Sequence, residues 1–154
     1  MKEVKGNLIE LAKNGEFDVI VHGCNCFCKM GAGLAKQIRA NFPEAYKVDQ
    51  QTKRGDYDKL GTCSVADCGC VVVVNAYTQF GYASYGRSVD YDAIRSCMKW
   101  IVKTYLDKKI GLPKIGAGLG GGDWNIIKKI LEEEMGGMDV TVVEWSNLKR
   151  GKRI

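Results

Sequence analysis

Ile110-Gly111-Leu112-Pro113-Lys114-Ile115-Gly116-Ala117-Gly118-Leu119-Gly120-Gly121-Gly122-Asp123-Trp124 is the stretch that decides the fold. Its apolar start reads as a strand over Ile110 to Ile115. Asp123 is a good N-cap, and the pattern behind it predicts a helix over Asp123 to Met135, ended by Gly136-Gly137. Between strand and helix lies a glycine cluster. Counting Gly111, six glycines in and around one junction are more than a turn needs. Free N–H groups at a helix start, with a backbone that lets a ligand come close, make an anion site.

A second junction of the same kind lies upstream. Phe17 to Val21 reads as a strand, flanked by Asn14-Gly15 and Gly23. The loop His22-Gly23-Cys24-Asn25-Cys26-Phe27-Cys28-Lys29-Met30-Gly31-Ala32-Gly33 follows and opens into a helix over Leu34 to Asn41, with Leu34, Ile38 and Phe42 on one face. The remaining pattern predicts a strand at Glu3-Val4-Lys5, a short helix at Leu8 to Ala12 and a helical piece opened by Pro43. Strands follow at Thr62 to Ala66 and Cys70 to Ala76, turning at Asp67-Cys68-Gly69. A Gly/Ser/Tyr-rich loop covers Thr78 to Ser88, a helix Asp90 to Leu106, and a last strand Val140 to Trp145. Strands alternating with helices predict an α/β domain with a largely parallel sheet between helices. Ligands of such sheets bind outside the carboxyl ends of the strands, where both glycine loops fall. Two such loops can hold the two sides of a pyrophosphate.

The 154 residues suit one domain, 1–154, without repeats or linkers, and 45% apolar residues suffice for its core. The apolar run Cys70 to Val74 is too short to span a membrane, and nothing behind Met1-Lys2-Glu3 resembles a secretory segment, so a cytoplasmic monomer is expected. The net charge of +5 favours an anionic ligand, and the last six residues, with Lys149, Arg150, Lys152 and Arg153, read as a basic, frayed tail. Seven cysteines, an odd number, argue against a disulfide framework. Alternation at Cys24, Cys26 and Cys28 strings thiols along an extended segment rather than converging them, so no metal and no cofactor are expected.

Gly116 to Gly121 fits G-x-G-x-x-G, and Glu144 stands where a ribose-binding acid of a dinucleotide fold would. That fingerprint normally opens its fold, whereas only 33 residues follow Gly121. A hydride-transfer enzyme is therefore the weaker reading.

Several segments together resemble macrodomains: Val4-Lys5-Gly6-Asn7-Leu8, Val19 to Cys26, Gly31-Ala32-Gly33-Leu34-Ala35, and Leu112 to Trp124. The resemblance implies a three-layer α/β/α fold with a mixed, largely parallel sheet, and ADP-ribose as ligand. It places Asn7 and Leu8 at the adenine, with Trp145 able to cover its face. Asn25 would meet the distal ribose, and Gly31, Ala32, Gly33 and Leu34 with Gly116, Ala117, Gly118, Leu119 and Gly120 would meet the phosphates. His22-Gly23-Cys24-Asn25-Cys26 is similar to the first loop of ADP-ribose 1″-phosphate phosphatases. The related deacylases use a lysine after the central strand and an aspartate in the second loop. The matching positions here, around Ala76-Tyr77-Thr78 and at Gly120, carry neither. The resemblance thus implies hydrolysis of ADP-ribose 1″-phosphate, with release of ADP-ribose from modified proteins or nucleic acids, or binding alone, as the other outcomes. His22, the only histidine, is the expected acid/base group and Asp123 its companion.

Overall fold

The computed structural model describes residues 1–82 and 88–146. The basic tail and residues 83–87 of the Gly/Ser/Tyr-rich stretch lie outside the described residues. In chain order the elements are β1 (Lys2–Gly6), α1 (Leu8–Lys13), β2 (Val19–Asn25), α2 (Gly33–Asn41) and α3 (Pro43–Gln50). After a 3-10 turn at Tyr57–Lys59 come β3 (Cys63–Asp67), β4 (Val72–Gln79), α4 (Tyr91–Thr104), β5 (Lys109–Leu112), α5 (Trp124–Met135) and β6 (Asp139–Trp145). The strands form one six-stranded sheet in the order β1-β6-β5-β2-β4-β3. Among the strand pairs of the described residues only β3–β4 is antiparallel.

Both faces of the sheet are covered, which explains its nearly continuous apolar strands. Val19, Val21, Val74, Ala76, Val140 and Val142 pack against Ile94, Met98 and Ile101 of α4 and Ile127 and Leu131 of α5. Their alternates Ile20, Val73 and Val143 pack with Leu8 and Ala12 of α1, Ile38 of α2 and Ala45 of α3. The sheet therefore sits between two helical layers, as the period of two along each strand requires.

Four element boundaries differ from the sequence reading in ways that bear on the site. β2 runs on through His22-Gly23-Cys24-Asn25, which look like loop because they are polar or small. They are strand because β4 supplies backbone partners as far as Gln79, across an irregularity between Cys24 and Asn25. β4 likewise extends three residues past Ala76. β5 stops at Leu112, since Pro113 has no N–H and Ile115 N–H turns back to the Pro113 carbonyl. Asp123 precedes α5 rather than opening it: its carboxylate caps the helix, accepting from Asn125 N–H at 2.8 Å.

Candidate functional site

β5 and β2 are neighbours at the middle of the sheet, but their chains leave in opposite directions. From β2 the chain passes to α2 in the layer with α1 and α3, while from β5 it passes to α5, in the layer with α4. Loops that part to opposite faces open a crevice between them. A cleft of about 730 Å³ lies there, lined by His22 to Asn25, Cys28 to Ala35, Thr78, Gln79 and Pro113 to Gly120 except Ala117. A second hollow of about 430 Å³, lined by Gly6, Leu8, Ala117, Val143, Glu144 and Trp145, shares Gly33, Leu34, Pro113, Lys114 and Gly118 with the first. Together they form a trough in two compartments.

The first loop is held open from behind. The Asn25 side-chain carbonyl accepts from Phe27 N–H at 2.9 Å and its amide donates to the Lys29 carbonyl at 2.9 Å. Lys59 Nζ and Gly55 N–H both donate to the Cys26 carbonyl, and Gln50 Nε2 donates to that of Cys28. Cys28 takes a positive φ of 59° within this turn. The three alternating thiols consequently diverge: Cys24 beside His22, Cys26 towards the Gln79 carbonyl and Cys28 towards the Asp49 carbonyl. Beyond the turn, α2 begins at Gly33 with Ala32 as a cap that offers no side-chain hydrogen bond and with no acidic residue in its first turn. Gly33, Leu34 and Ala35 of its first turn line the trough, and a helix start there is the arrangement that receives an anion.

The second loop folds on itself through Gly122 N–H to the Gly116 carbonyl and Gly121 N–H to that of Gly118. Gly116 needs to be glycine, since its φ is +76° and a Cβ would lie 2.8 Å from Val89. A Cβ on Gly118 would meet no protein atom within 4 Å. Leu119, 65% exposed, reaches across to the first loop, where a Cβ on Gly33 would lie 2.9 Å from its Cδ1. The two loops touch above the trough at this pair.

The floor is polar and closed. His22 is 2% exposed, with Nε2 2.7 Å from the Asn75 side-chain oxygen and Cys24 Sγ 3.5 Å away. Burial pushes its pKa down to about 4, against the opposing pull of the Asn75 hydrogen bond. The imidazole is therefore neutral at neutral pH, and burial also holds the Cys24 thiol well above its ordinary pKa. Beside them Thr78 Oγ1 is buried without a hydrogen-bond partner among the described residues, and a Cβ on Gly23 would come within 2.8 Å of it. A buried hydroxyl in that condition is suited to a ligand or water partner.

The charged side chains lining the larger compartment are Lys29, Arg39, Arg54 and Lys114, with no carboxylate among the described residues there. Lys114 ties the compartments together by its 2.9 Å ion pair with Glu144, whose pKa it lowers. At the outer rim Phe27 packs edge-on against Phe80 and Tyr82, and Tyr57 packs against Phe80. Tyr57 and Tyr82 are mostly exposed, and Lys29 Nζ lies 6.0 Å from the Tyr82 ring centroid.

The residues singled out in the sequence are thus not all in one place. His22, Asn25, Gly31 to Leu34, Gly116, Gly118, Leu119 and Gly120 line the larger compartment; Leu8, Ala117 and Trp145 line the smaller. Asn7 is beside the smaller compartment in sequence, but its side chain caps α1, accepting from Ile9 and Glu10 N–H. Asp123 lines neither compartment. Sequence reading missed Asn75 and Thr78, which sit in an apolar run, and the cations Arg39 and Arg54, whose place only the packing of α2 and the 50–56 segment reveals. It also missed Lys59, 8% exposed and engaged under the first loop.

The family model described as Macro domain matches residues 21–131. The chain is 35% identical to an uncharacterised 17.5 kDa protein of Enterobacteria phage T4, over 96% of this chain and 98% of that one. It is 24% identical to the ADP-ribose 1″-phosphate phosphatase of Saccharomyces cerevisiae, over 92% and 96%. It is 25% identical to the DNA ADP-ribosyl glycohydrolase of Thermus aquaticus, over 94% of this chain but 41% of that longer protein. Among solved structures, a protein of unknown function from Bacteroides thetaiotaomicron superposes with a TM-score of 0.80 at 26% identity, over 93% of this chain and 96% of that one. DarTG of Thermosipho africanus, solved in complex with ADP-ribose, superposes at 0.71 and 19%, over all of this chain and 43% of that one.

Proposed function

This chain belongs to the macrodomain family, and from that premise we propose that it binds ADP-ribose along the trough and removes the phosphate from ADP-ribose 1″-phosphate. The smaller compartment, with Leu8, Val143 and the exposed Trp145, suits a flat apolar base. The uncapped start of α2 and the tip Gly118-Leu119-Gly120 suit a pyrophosphate between them. The distal ribose then lies over Asn25, Thr78 and His22.

One observation carries the phosphatase reading: the charged side chains lining the larger compartment are four cations, Lys114 alone of them paired with a carboxylate of the smaller compartment, and no carboxylate lines it among the described residues. Such a field favours a ligand with one more dianionic group than ADP-ribose. In the reaction water attacks phosphorus, the bond from phosphorus to the anomeric oxygen breaks, and that oxygen receives a proton. A neutral imidazole at the floor can take the proton from water and return it to the departing oxygen. Asp123 acts as the cap of α5 and not in the reaction.

The exposed aromatic rim with Lys29 and Arg54 favours a second reading, release of ADP-ribose from a nucleic acid whose bases stack on Tyr57 and Tyr82. Calorimetric titration with ADP-ribose, followed by phosphate release from ADP-ribose 1″-phosphate in the same sample, tests the proposal. One ADP-ribose per chain and catalytic phosphate release are expected. Tight binding with no release, but turnover of an ADP-ribosylated oligonucleotide, would transfer the assignment to the second reading. Binding without any turnover would leave a reader of ADP-ribose.

A further inference from the structure

If His22 transfers the proton, one of its two ring nitrogens must do so, and the residues behind it decide which. Resting on the proposed reaction, we infer that Asn75 is a positioning residue that locks His22 in the Nε2–H tautomer, leaving Nδ1 as the nitrogen that exchanges a proton at the cleft.

His22 and Asn75 face each other in the β2–β4 ladder, and both are almost wholly buried. The Asn75 amide has one end that can only donate and one that can only accept. Its Nδ2 lies 3.0 Å from the backbone carbonyl oxygen of Ala45 and 3.0 Å from Ser64 Oγ. A carbonyl oxygen cannot donate, so nitrogen must occupy that end. Turning the amide over would set two lone-pair oxygens against each other at the same distance in a buried site, which is costly. The carbonyl end of Asn75 therefore faces His22 Nε2 at 2.7 Å. That oxygen only accepts, so Nε2 carries the hydrogen. A neutral imidazole has a single N–H, and the lone pair falls to Nδ1.

The network continues in one sense away from the cleft. Ser64 Oγ receives the Asn75 donor and lies 2.8 Å from the Tyr77 hydroxyl, which donates to Asp49 at 2.8 Å. Tyr77 spends its one hydrogen on Asp49, so Ser64 turns its own hydrogen to the Tyr77 oxygen. Apart from the Asn75 N–H given to the Ala45 carbonyl, each donor from His22 onward then points towards the buried Asp49 carboxyl, and such aligned chains reinforce one another. The titratable groups around it are Cys24 against the imidazole, Tyr77 and Asp49 within the chain, and Lys59, whose Nζ lies 4.7 Å from the Tyr77 ring centroid. The arrangement holds the ring still and gives it a partner when it becomes positively charged.

His22 is the only histidine, so protein labelled with ¹⁵N-histidine yields one imidazole spin system. Two-bond ¹H–¹⁵N spectra at neutral pH should show a protonated Nε2 and an unprotonated Nδ1. A protonated Nδ1, or averaging between tautomers, would overturn the lock. In Asn75→Ala the two forms should mix, and kcat for phosphate release should fall roughly 10-fold or more with the Kd for ADP-ribose little changed. Asn75→Asp keeps an acceptor for Nε2–H and should keep the Nε2–H tautomer in the spectrum, while its second oxygen, set against the Ala45 carbonyl, should lower the melting temperature; mixed tautomers in a folded Asn75→Asp would count against the lock. Unchanged kcat in Asn75→Ala would remove the positioning role. If Asn75→Ala does not fold, Ser64→Ala, which removes one of the two acceptors holding the amide, should show a smaller loss of the same kind; unchanged kcat there, with tautomers mixed or not, would count against the positioning role. Wild type with the expected spectrum and no turnover would take away the proposed reaction, and the proton-exchange role with it, while the tautomer lock would stand.

Discussion

Mild acid should destabilise this protein through one imidazole. The His22 pKa stands at 6.5 when the chain is unfolded and is pushed down to about 4 when burial removes it from water. The unfolded chain therefore binds a proton between these values while the folded chain refuses it, so stability is full above about pH 6.5 and drains away as pH falls towards the folded pKa. Integrating that difference from about pH 7.5 to about pH 5 gives a loss of about 2 kcal/mol. This is a large share of the ~5–15 kcal/mol that holds an ordinary domain together. Asp49 works the other way, since burial raises its pKa and so favours the folded state in acid. The carboxyls lowered by Arg95 and Lys114, those of Glu134 and Glu144, lose their partners' support only at still lower pH. Comparison with His22→Gln removes these common contributions, because glutamine can still donate to Asn75 but does not titrate. Urea unfolding followed by tryptophan fluorescence at the two pH values gives four stabilities. The wild type should lose about 2 kcal/mol more than the variant. If both lose the same amount, His22 is solvated enough to titrate normally, and a closed, neutral floor is the wrong description.

The glycine loops make a sharper contrast than their shared composition suggests. Gly118→Val should leave thermal stability nearly unchanged and abolish ADP-ribose binding, because Gly118 lines both compartments and a Cβ there would meet no protein atom within 4 Å. Gly116→Val should instead destabilise the fold by several kcal/mol, through a positive φ and a clash with Val89, as a melting temperature would show. Asp123→Ala should cost about 1 kcal/mol of stability without altering turnover, and Asp123→Asn should cost less, since asparagine still caps. A large loss of kcat in Asp123→Asn with stability intact would return that carboxylate to the reaction.

Much of the fold was legible because periodicity is local. Alternating strands and helices, the turn at Asp67-Cys68-Gly69 and the cap at Asp123 each follow from a few adjacent residues. The two glycine loops were legible for the same reason, and the order of the motifs pointed to the macrodomain family. Boundaries failed where a partner strand overrode local character. His22 to Asn25 look like loop, yet β4 draws them into the ladder.

By itself the sequence determined that strands feed glycine-rich loops into helices, and that His22, Asn25 and the glycines stand at the ends of strands. Tertiary structure alone decided what those side chains do. It placed β2 beside β5 so that their loops part over one crevice, and gathered Lys29, Arg39, Arg54 and Lys114 from four segments around it. It also set His22 against Asn75, 53 positions away. Hydrogen-bond partners and burial set the protonation of a group, and both are properties of neighbours distant in the chain.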